Sequence, residues 1–121
     1  MDKLVVLHLL NSNKFSGAEH VVVNIIKNMP ISVESIYCSP DGPIREKLSS
    51  SGVTFESVNA KFLTVKEVKS IILKVKPDII HAHDFTAGII ASLTCTRIPI
   101  INGESVTQNI FLSYEDDIGI K

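Results

Sequence analysis

Hydrophobic positions along this chain follow two alternating patterns. Short apolar runs bounded by polar or turn-forming residues are typical of buried strands, and segments with apolar residues at helical spacing separate them. The pattern predicts strands over 4–10, 33–38, 53–58, 79–82 and 98–101, and helices over 18–29, 44–50, 64–76 and 86–94. Strands that alternate with helices favour right-handed crossovers, so we expect an α/β fold with a doubly wound parallel sheet covered on both faces.

Capping residues and prolines mark the helix boundaries. Thr64 and Glu67 have the spacing of a capping box, Pro77 ends that helix, and Asp84 is placed to cap the last one. The first helix carries a continuous apolar stripe made of Ala18, Val21, Val22, Ile25, Ile26 and Met29. The last helix has small residues that permit close approach to a sheet, namely Ala87, Gly88, Ala91 and Ser92.

Composition narrows the class further. A chain of 121 residues with 45% hydrophobic content suits one globular domain, and a net charge of -1 gives no general attraction to nucleic acid. Cys38 and Cys95 lie in apolar surroundings without a C-x-x-C pair, which favours reduced thiols in a cytoplasmic protein. The apolar run after Lys3 is too short for a membrane span and has no small-residue cleavage site, so we expect neither a signal peptide nor a transmembrane helix.

The segment that joins the first strand to the first helix is a candidate phosphate site. A helix N-terminus presents unpaired N–H groups and the positive end of the helix dipole, and a glycine there lets an anion approach the backbone. Ser16, Gly17, Ala18 and Glu19 form this donor-phosphate candidate. The alternative is structural, because Ser16 and Glu19 also have the spacing of a capping box, which needs no ligand.

The end of the fourth strand, His81-Ala82-His83-Asp84, is the second candidate. His81 and His83 are two residues apart, so they share a face of the strand. Two histidines and one acid fall short of a complete ligand set, so we predict no metal site; His81 is expected in the core, and His83 and Asp84 in a cleft. His8, inside an apolar strand, is interpreted as an interior histidine.

Three segments together resemble the amino-terminal half of retaining glycosyltransferases of the GT-B fold, the family 4-like enzymes. They are Val5 to Leu10, Ser16 to Glu19, and Pro77 to Asp84 followed by Ala87-Gly88. The resemblance covers about Leu4 to Ile101 and implies a Rossmann-like domain. In that family the amino-terminal domain holds the acceptor, its glycine loop lies against the donor diphosphate, and the carboxyl-terminal domain binds the nucleotide sugar.

The chain departs from the family pattern at two positions. Members usually have two glycines before the Ala-Glu pair, whereas Ser16 takes the first place here. After the fifth strand they often carry a histidine near the reacting sugar, and Ser105 stands at about that position, so it joins the acceptor-side residues. We expect residues 1–101 to form the acceptor-side domain and residues 102–121 an irregular or extended tail.

The resemblance implies one lobe of a transferase in polysaccharide biosynthesis, inactive without a carboxyl-terminal lobe on this or a separate chain. Its substrates would be a nucleotide sugar and a glycan or lipid-linked acceptor, with no further cofactor. The alternatives are a non-catalytic interaction or regulatory module, or half of a sugar-nucleotide epimerase. Lysines around the third helix give peripheral membrane contact as an option, although a solvated face is the stronger explanation for them. An uncovered strand edge predicts a homo-oligomer.

Overall fold

The computed structural model of the chain describes residues 3–13, 17–94 and 96–103. Its elements in chain order are β1 (Leu4–Leu9), α1 (Gly17–Lys27), β2 (Val33–Pro40), α2 (Ile44–Ser50), β3 (Thr54–Val58), α3 (Val65–Val75), β4 (Ile79–Ala82), α4 (Phe85–Leu93) and β5 (Ile100–Asn102). Residues 104–121, which make up most of the predicted tail, lie outside the described residues, as does Cys95. Cys38 is a buried free thiol, as expected for a reduced cysteine.

The five strands form one sheet in the order β3-β2-β1-β4-β5, and every neighbouring pair is parallel. The predicted doubly wound α/β fold is therefore confirmed. The chain runs outward from β1 to β3 and then returns to place β4 on the other side of β1. This reversal is the topological switch point, at which loops diverge to opposite faces and leave a crevice for ligands.

Most element boundaries fall close to the predicted ones, and β5 shows why some shift. The strand begins at Ile100 rather than at the predicted Ile98. Pro99 precedes it, and its carbonyl accepts a hydrogen bond from the Ile80 amide at 3.0 Å. Because proline has no N–H to donate, regular pairing with β4 starts only after it. At its other end β5 extends through Asn102.

The two faces of the sheet carry different cores. On the side covered by α3 and α4 a single cluster of buried apolar residues runs across the strands, and we call this side the dry face. Its members are Leu7, Leu9, Ile36, Cys38, Val58, Leu63, Val68, Ile71, Ile72, Ile80, Ala82, Ala87 and Ala91. On the α1 and α2 side the core is divided into two clusters, one containing Val6 and the other Leu10. Alternation along β1 places the buried His8 between them.

Helix α1 is rotated relative to the predicted stripe. Val22, Ile25, Ile26 and Met29 face inward as predicted, whereas Ala18 and Val21 are exposed. Glu19 and Val23 are buried in their place, Glu19 completely. Positions 19, 22 and 23 share one side of a helix, so these buried residues are all explained by a single rotation of α1 about its axis. A stripe identified from apolar residues alone does not include a buried carboxylate, which is the reason for the error.

Helix α3 begins as predicted, with the Thr64 hydroxyl accepting from the Glu67 amide. The Glu67 carboxylate extends further back than a capping box requires and accepts from the amides of Asn59 at 2.6 Å and Ala60 at 3.3 Å. The apolar stripe packs on the dry face, and the neighbouring lysines, Lys61, Lys66, Lys69, Lys74 and Lys76, are exposed. Across the described ranges, no helix has both the length and the apolar character needed to cross a bilayer.

Candidate functional site

The carboxyl ends of β1 and β4 are tied together at the switch point. The His83 amide donates to the Leu9 carbonyl at 3.0 Å. The Asp84 carboxylate then accepts two backbone hydrogen bonds, one from Ala87 at 2.7 Å, which caps α4, and one from Asn11 at 2.7 Å, the first residue of the loop after β1. The prediction that these two loops share one edge of the sheet is therefore confirmed.

Asn11 brings a third loop into the same edge. Its side-chain oxygen accepts a hydrogen bond from the Leu63 amide at 2.9 Å, in the connection between β3 and α3. One residue thus holds backbone from both sides of β1. Sequence reasoning had treated Asn11 only as the start of a polar loop, because the loops that meet there are identified only when the strand order is known.

A cavity of about 480 Å³ opens at the ends of β4 and β5, against α4. Its walls are His83, Asp84, Phe85, Gly88, Ile89, Ser92, Asn102 and Gly103. Both His83 and Asp84, predicted to face a cleft, line it. Phe85 is 83% exposed and Ile89 44%, so one wall of the cavity presents apolar side chains to solvent.

Helix α4 lies close to the sheet because its inner residues are small. Ala87 and Ala91 are fully buried. A Cβ added at Gly88 would come within 2.6 Å of the side-chain oxygen of Asn102 on β5. A larger residue at position 88 would therefore displace Asn102, so Gly88 preserves this part of the cavity wall.

The predicted phosphate loop is only partly within the described residues, since Ser16 lies outside them. Gly17 and Ala18 are exposed at the start of α1, and among the described residues outside that turn no atom lies within 4 Å of where a Cβ on Gly17 would be. Neither packing nor a positive φ requires a glycine there. Glu19 is buried, so it does not present its carboxylate at the surface. Ser105 also lies outside the described residues.

Three histidines, His8, His81 and His83, meet beneath this edge on the α1 side of the sheet, and we call them the histidine cluster. His8 Nδ1 lies 2.9 Å from His83 Nε2. The rings of His81 and His83 are stacked with centroids 3.8 Å apart, and the ring of His8 is 5.6 Å and 5.2 Å from them. All three side chains are at most 7% exposed.

Burial keeps the histidine cluster uncharged. Desolvation and the neighbouring His81 lower the pKa of His8 to about 3. Desolvation is also the main cause that lowers the pKa values of His81 and His83. His81 Nε2 lies 2.8 Å from the Gly103 carbonyl oxygen, so this nitrogen carries the proton and donates. Neutral imidazoles in these positions can accept hydrogen bonds or bind a metal ion, and none acts as a cation at neutral pH.

His8 is the member of the histidine cluster that sequence reasoning did not connect to the others. In the pairing of β1 with β4 it is the register partner of His81, so the three side chains share one face. Its other register partner is Tyr37 on β2. Burial, followed by the charges of Glu19 and Asp84, raises the pKa of Tyr37, and its hydroxyl has no hydrogen-bond partner among the described residues. The strand pairing that links these positions is not visible in the sequence.

Comparison with known proteins gives one family. Residues 7–104 match the model of the family described as glycosyl transferase 4-like, in agreement with the resemblance carried by the sequence motifs. The match begins within β1, covers the other four strands completely and extends past the cavity. Neither the curated proteins nor the solved structures compared with the chain give a match.

Proposed function

The chain belongs to the glycosyl transferase 4-like family, and we propose that it is the acceptor-binding, amino-terminal domain of an enzyme that transfers a sugar from a nucleotide sugar to a polysaccharide or lipid-linked acceptor. The observation that carries this proposal is the cavity at the carboxyl ends of β4 and β5, the edge of the sheet at which the loop after β1 also lies. Ligands of open α/β sheets bind in this position, outside the carboxyl ends of the strands.

The cavity is the proposed acceptor site. The ring of Phe85 and the side chain of Ile89 offer an apolar surface on which a sugar ring or a lipid-linked group packs, while the hydroxyl of Ser92 lies at the same wall. A mainly apolar pocket with a few polar groups is what small-molecule sites generally require. His83 closes the cavity floor, and its neutral ring adds no charge there.

The start of α1 is the proposed contact for the donor diphosphate. The open space around Gly17 supports this assignment, because a phosphate can approach the first N–H groups of the helix without meeting a side chain. Ala18, which is also exposed, extends this approach. Glu19 would hold the helix start against the sheet, and Ser16 would complete the loop.

Transfer requires a second lobe under this proposal. The described residues form one α/β unit with a cavity open to solvent, whereas transfer needs the donor held above the acceptor and water kept out. We therefore expect the chain alone to be inactive with any nucleotide sugar and acceptor, and to become active when assembled with a carboxyl-terminal, donor-binding lobe. Turnover by the purified chain alone would contradict this part of the proposal.

Two substitutions in the assembled enzyme separate the two proposed sites. Gly17→Val should abolish transfer, because its side chain would keep the donor phosphate away from the helix N–H groups. Ser92→Phe should fill the cavity and raise the KM for the acceptor while leaving the KM for the donor unchanged. Steady-state kinetics with each substrate varied in turn measures both effects.

The matched control is Val21→Ala, one turn further along α1 on its exposed side. It should retain wild-type rates, and thermal melting should show all three variants folded, since position 17 has open space for a side chain. A fully active Gly17→Val enzyme would refute the phosphate contact. Nucleotide-sugar binding without transfer in the assembled protein would favour a regulatory module.

The remaining partners stay predictions. β5 is an edge strand of the sheet, and Ile98, Ile100 and Ile101 beside it are half-buried, which supports self-association through this edge. The exposed lysines around α3 support contact with anionic lipid, although its apolar stripe is occupied by the sheet. Sedimentation over a range of concentrations and binding to anionic against neutral vesicles test these two predictions.

A further inference from the structure

The outer side of α4 carries a row of large apolar side chains that face solvent. Phe85, Ile89 and Leu93 recur every four residues, so they lie one above another on a single side of the helix, and we call them the α4 row. They are 83%, 44% and 57% exposed. The nine residues of α4 include no charged side chain. Soluble proteins rarely leave such a contiguous apolar surface in water, so the α4 row indicates a surface that another segment covers.

Helix α3 adds a lysine-bearing flank beside the α4 row. The Nζ of Lys74 lies 3.0 Å from the Glu56 carboxylate on β3, so this flank of α3 faces β3. Lys69 and Leu73 lie on the other flank, toward α4, which packs beside α3 on the dry face. Leu73 is 69% exposed, and Lys69 is in no ion pair within the described ranges. The combined surface is therefore apolar on α4 and basic on α3.

The segment that follows Gly103 is complementary to this surface in composition. Residues 104–121, which lie outside the described residues, contain an apolar triplet, Ile110-Phe111-Leu112, and an acidic triplet, Glu115-Asp116-Asp117. Four of these 18 residues are acidic and one is basic, whereas the rest of the chain has eleven basic and nine acidic side chains. The order of an apolar and then an acidic group matches an apolar helix beside a basic one.

The position of Gly103 brings the start of this segment to the α4 row. The Gly103 amide donates to the Ala82 carbonyl at 2.9 Å, and the Gly103 carbonyl oxygen lies 2.8 Å from His81 Nε2. These contacts hold Gly103 at the edge of the sheet, where it lines the cavity together with Phe85 and Ile89. The segment therefore leaves the sheet beside the upper end of the α4 row.

The lengths of chain also suit this surface. The α4 row spans eight residues of helix, or about 12 Å, and the seven residues from Gly103 to Ile110 reach up to about 24 Å. The acidic triplet begins three residues after the apolar triplet ends, a distance of about 10 Å in an extended chain. Packed helices have their axes about 8–10 Å apart, so one triplet can lie on α4 while the other lies on α3.

We propose that residues 104–121 pack on the outer side of α4, with the apolar triplet on the α4 row and the acidic triplet beside Lys69. This segment is favoured over a second copy of the chain because it is covalently attached, which gives it an effective concentration on the order of millimolar at this surface. Phe85 and Ile89 also line the cavity, so the packed segment forms an outer wall for it.

Hydrogen exchange of the full chain, followed by mass spectrometry, tests the apolar contact. Peptides from residues 104–121 should exchange about tenfold more slowly than a free synthetic peptide of the same sequence. Ile89→Glu places a carboxylate in the α4 row and should return this exchange to the free-peptide rate. Ile31→Glu is the matched control, since Ile31 is 89% exposed in the connection between α1 and β2, and it should leave the slow exchange unchanged.

Reversal of charges tests the contact with α3. Lys69→Glu and Asp116→Lys should each speed exchange in the segment, because each brings like charges together. The double variant restores opposite charges and should recover most of the wild-type protection, which separate structural damage at the two positions would not do. Lys27→Glu on α1 makes the same change of charge away from this surface and should have no effect.

Exchange of the segment at the free-peptide rate in folded wild-type protein would overturn the proposal. Slow exchange that survives Ile89→Glu would do the same. Protection that disappears on dilution together with a dimer, measured by sedimentation at the same concentrations, would assign the α4 row to a second copy instead. If circular dichroism shows that Ile89→Glu does not fold, the wild-type rates and the charge reversals still decide. None of these measurements involves sugar transfer, so the transferase proposal and this one can fail separately.

Discussion

The two faces of this sheet are built by the same strands, yet one has a continuous apolar core and the other has a core interrupted by histidines. On the dry face, Leu7, Leu9 and Ile80 belong to one uninterrupted apolar cluster. On the α1 side, the alternate positions of the same strands carry His8 and His81, and the apolar core is divided on either side of them. Each strand therefore contributes to continuous packing with one set of side chains and interrupts it with the other.

The difference indicates that the histidine positions on the α1 side lower the stability of the fold and serve a function instead. A parallel sheet covered on both faces is expected to be apolar on both. Burying three imidazoles costs desolvation that a run of Val or Leu would avoid. Positions at which a sequence departs from the packing rule without a structural gain are those at which function is expected. The cluster lies beneath the proposed acceptor cavity, in agreement with that expectation.

The largest expected effect is loss of stability in acid, which arises from the histidine cluster. In the folded chain these pKa values are lowered, that of His8 to about 3, whereas in the unfolded chain they return to about 6.5. The unfolded state therefore binds more protons, and stability falls as the pH drops below about 6.5. Between pH 7.5 and 5.5 this should cost about 1.4 kcal/mol each for His8 and His83, or roughly 3 kcal/mol together, and the lowered pKa of His81 adds a loss of the same sign. Urea unfolding of chelator-treated protein at the two pH values measures this loss.

His8→Leu provides the control for the acid effect. Removing one titrating group should reduce the loss between the two pH values by about 1.4 kcal/mol. An unfolding free energy that does not change over this interval would show that the cluster does not hold its rings neutral. The two faces would then differ in how their side chains pack and not in how their stability depends on pH.

The second effect compares neighbouring residues of β1 that point to opposite faces. Leu7→Ala removes a fully buried side chain from the dry face and should cost about 3 kcal/mol, since such cavities close only in part. His8→Leu at neutral pH should change the unfolding free energy by less than about 1 kcal/mol, because apolar burial offsets the His83 nitrogen left without its partner. Chemical denaturation at pH 7.5 measures both. Equal costs at the two positions would contradict the proposed difference between the faces.

The smallest effect concerns Asp84, which joins the two loops of the switch point. Asp84→Ala removes the acceptor for both the Ala87 and Asn11 amides and should cost about 2 kcal/mol. Thr64→Ala is the matched control, because the Thr64 hydroxyl accepts from one backbone amide rather than two, and it should cost about 1 kcal/mol. Thermal or urea unfolding compares them, and a loss no greater for Asp84 than for Thr64 would show that the bond to Asn11 adds no stability.

Local features made much of the fold predictable from the sequence. Helix α2 and strand β4 have the predicted bounds, because Pro43, Gly52 and Pro77 mark their limits whatever lies around them. The rotation of α1 was not predictable in the same way. Which side of α1 faces the sheet depends on tertiary packing, and the buried residue that defines it, Glu19, is one that apolar periodicity counts as polar.

The candidate site was predictable in its parts but not in its assembly. His83 and Asp84 were placed at the cleft from their position after a strand, and the structure puts both at the cavity. The histidine cluster required the pairing of β1 with β4, a contact between residues 73 positions apart for His8 and His81. Sequence spacing reports neighbours on one strand, so the third member stayed hidden until the strand order was known.

The hydrogen bonds of Asn11 have a consequence for how ligand preference can change in this fold. Asn11 joins three connections: its own loop after β1, the β4–α4 connection through Asp84, and the β3–α3 connection through Leu63. A substitution in any one of them therefore disturbs the other two. Within the part of the chain that the structure describes, the side chains of Phe85, Ile89 and Ser92 make no hydrogen bond to another loop, since the Ser92 hydroxyl donates to the Gly88 carbonyl of its own helix. Evolutionary adaptation to a new ligand of the cavity therefore has its freest positions along one side of α4, over a scaffold that stays fixed.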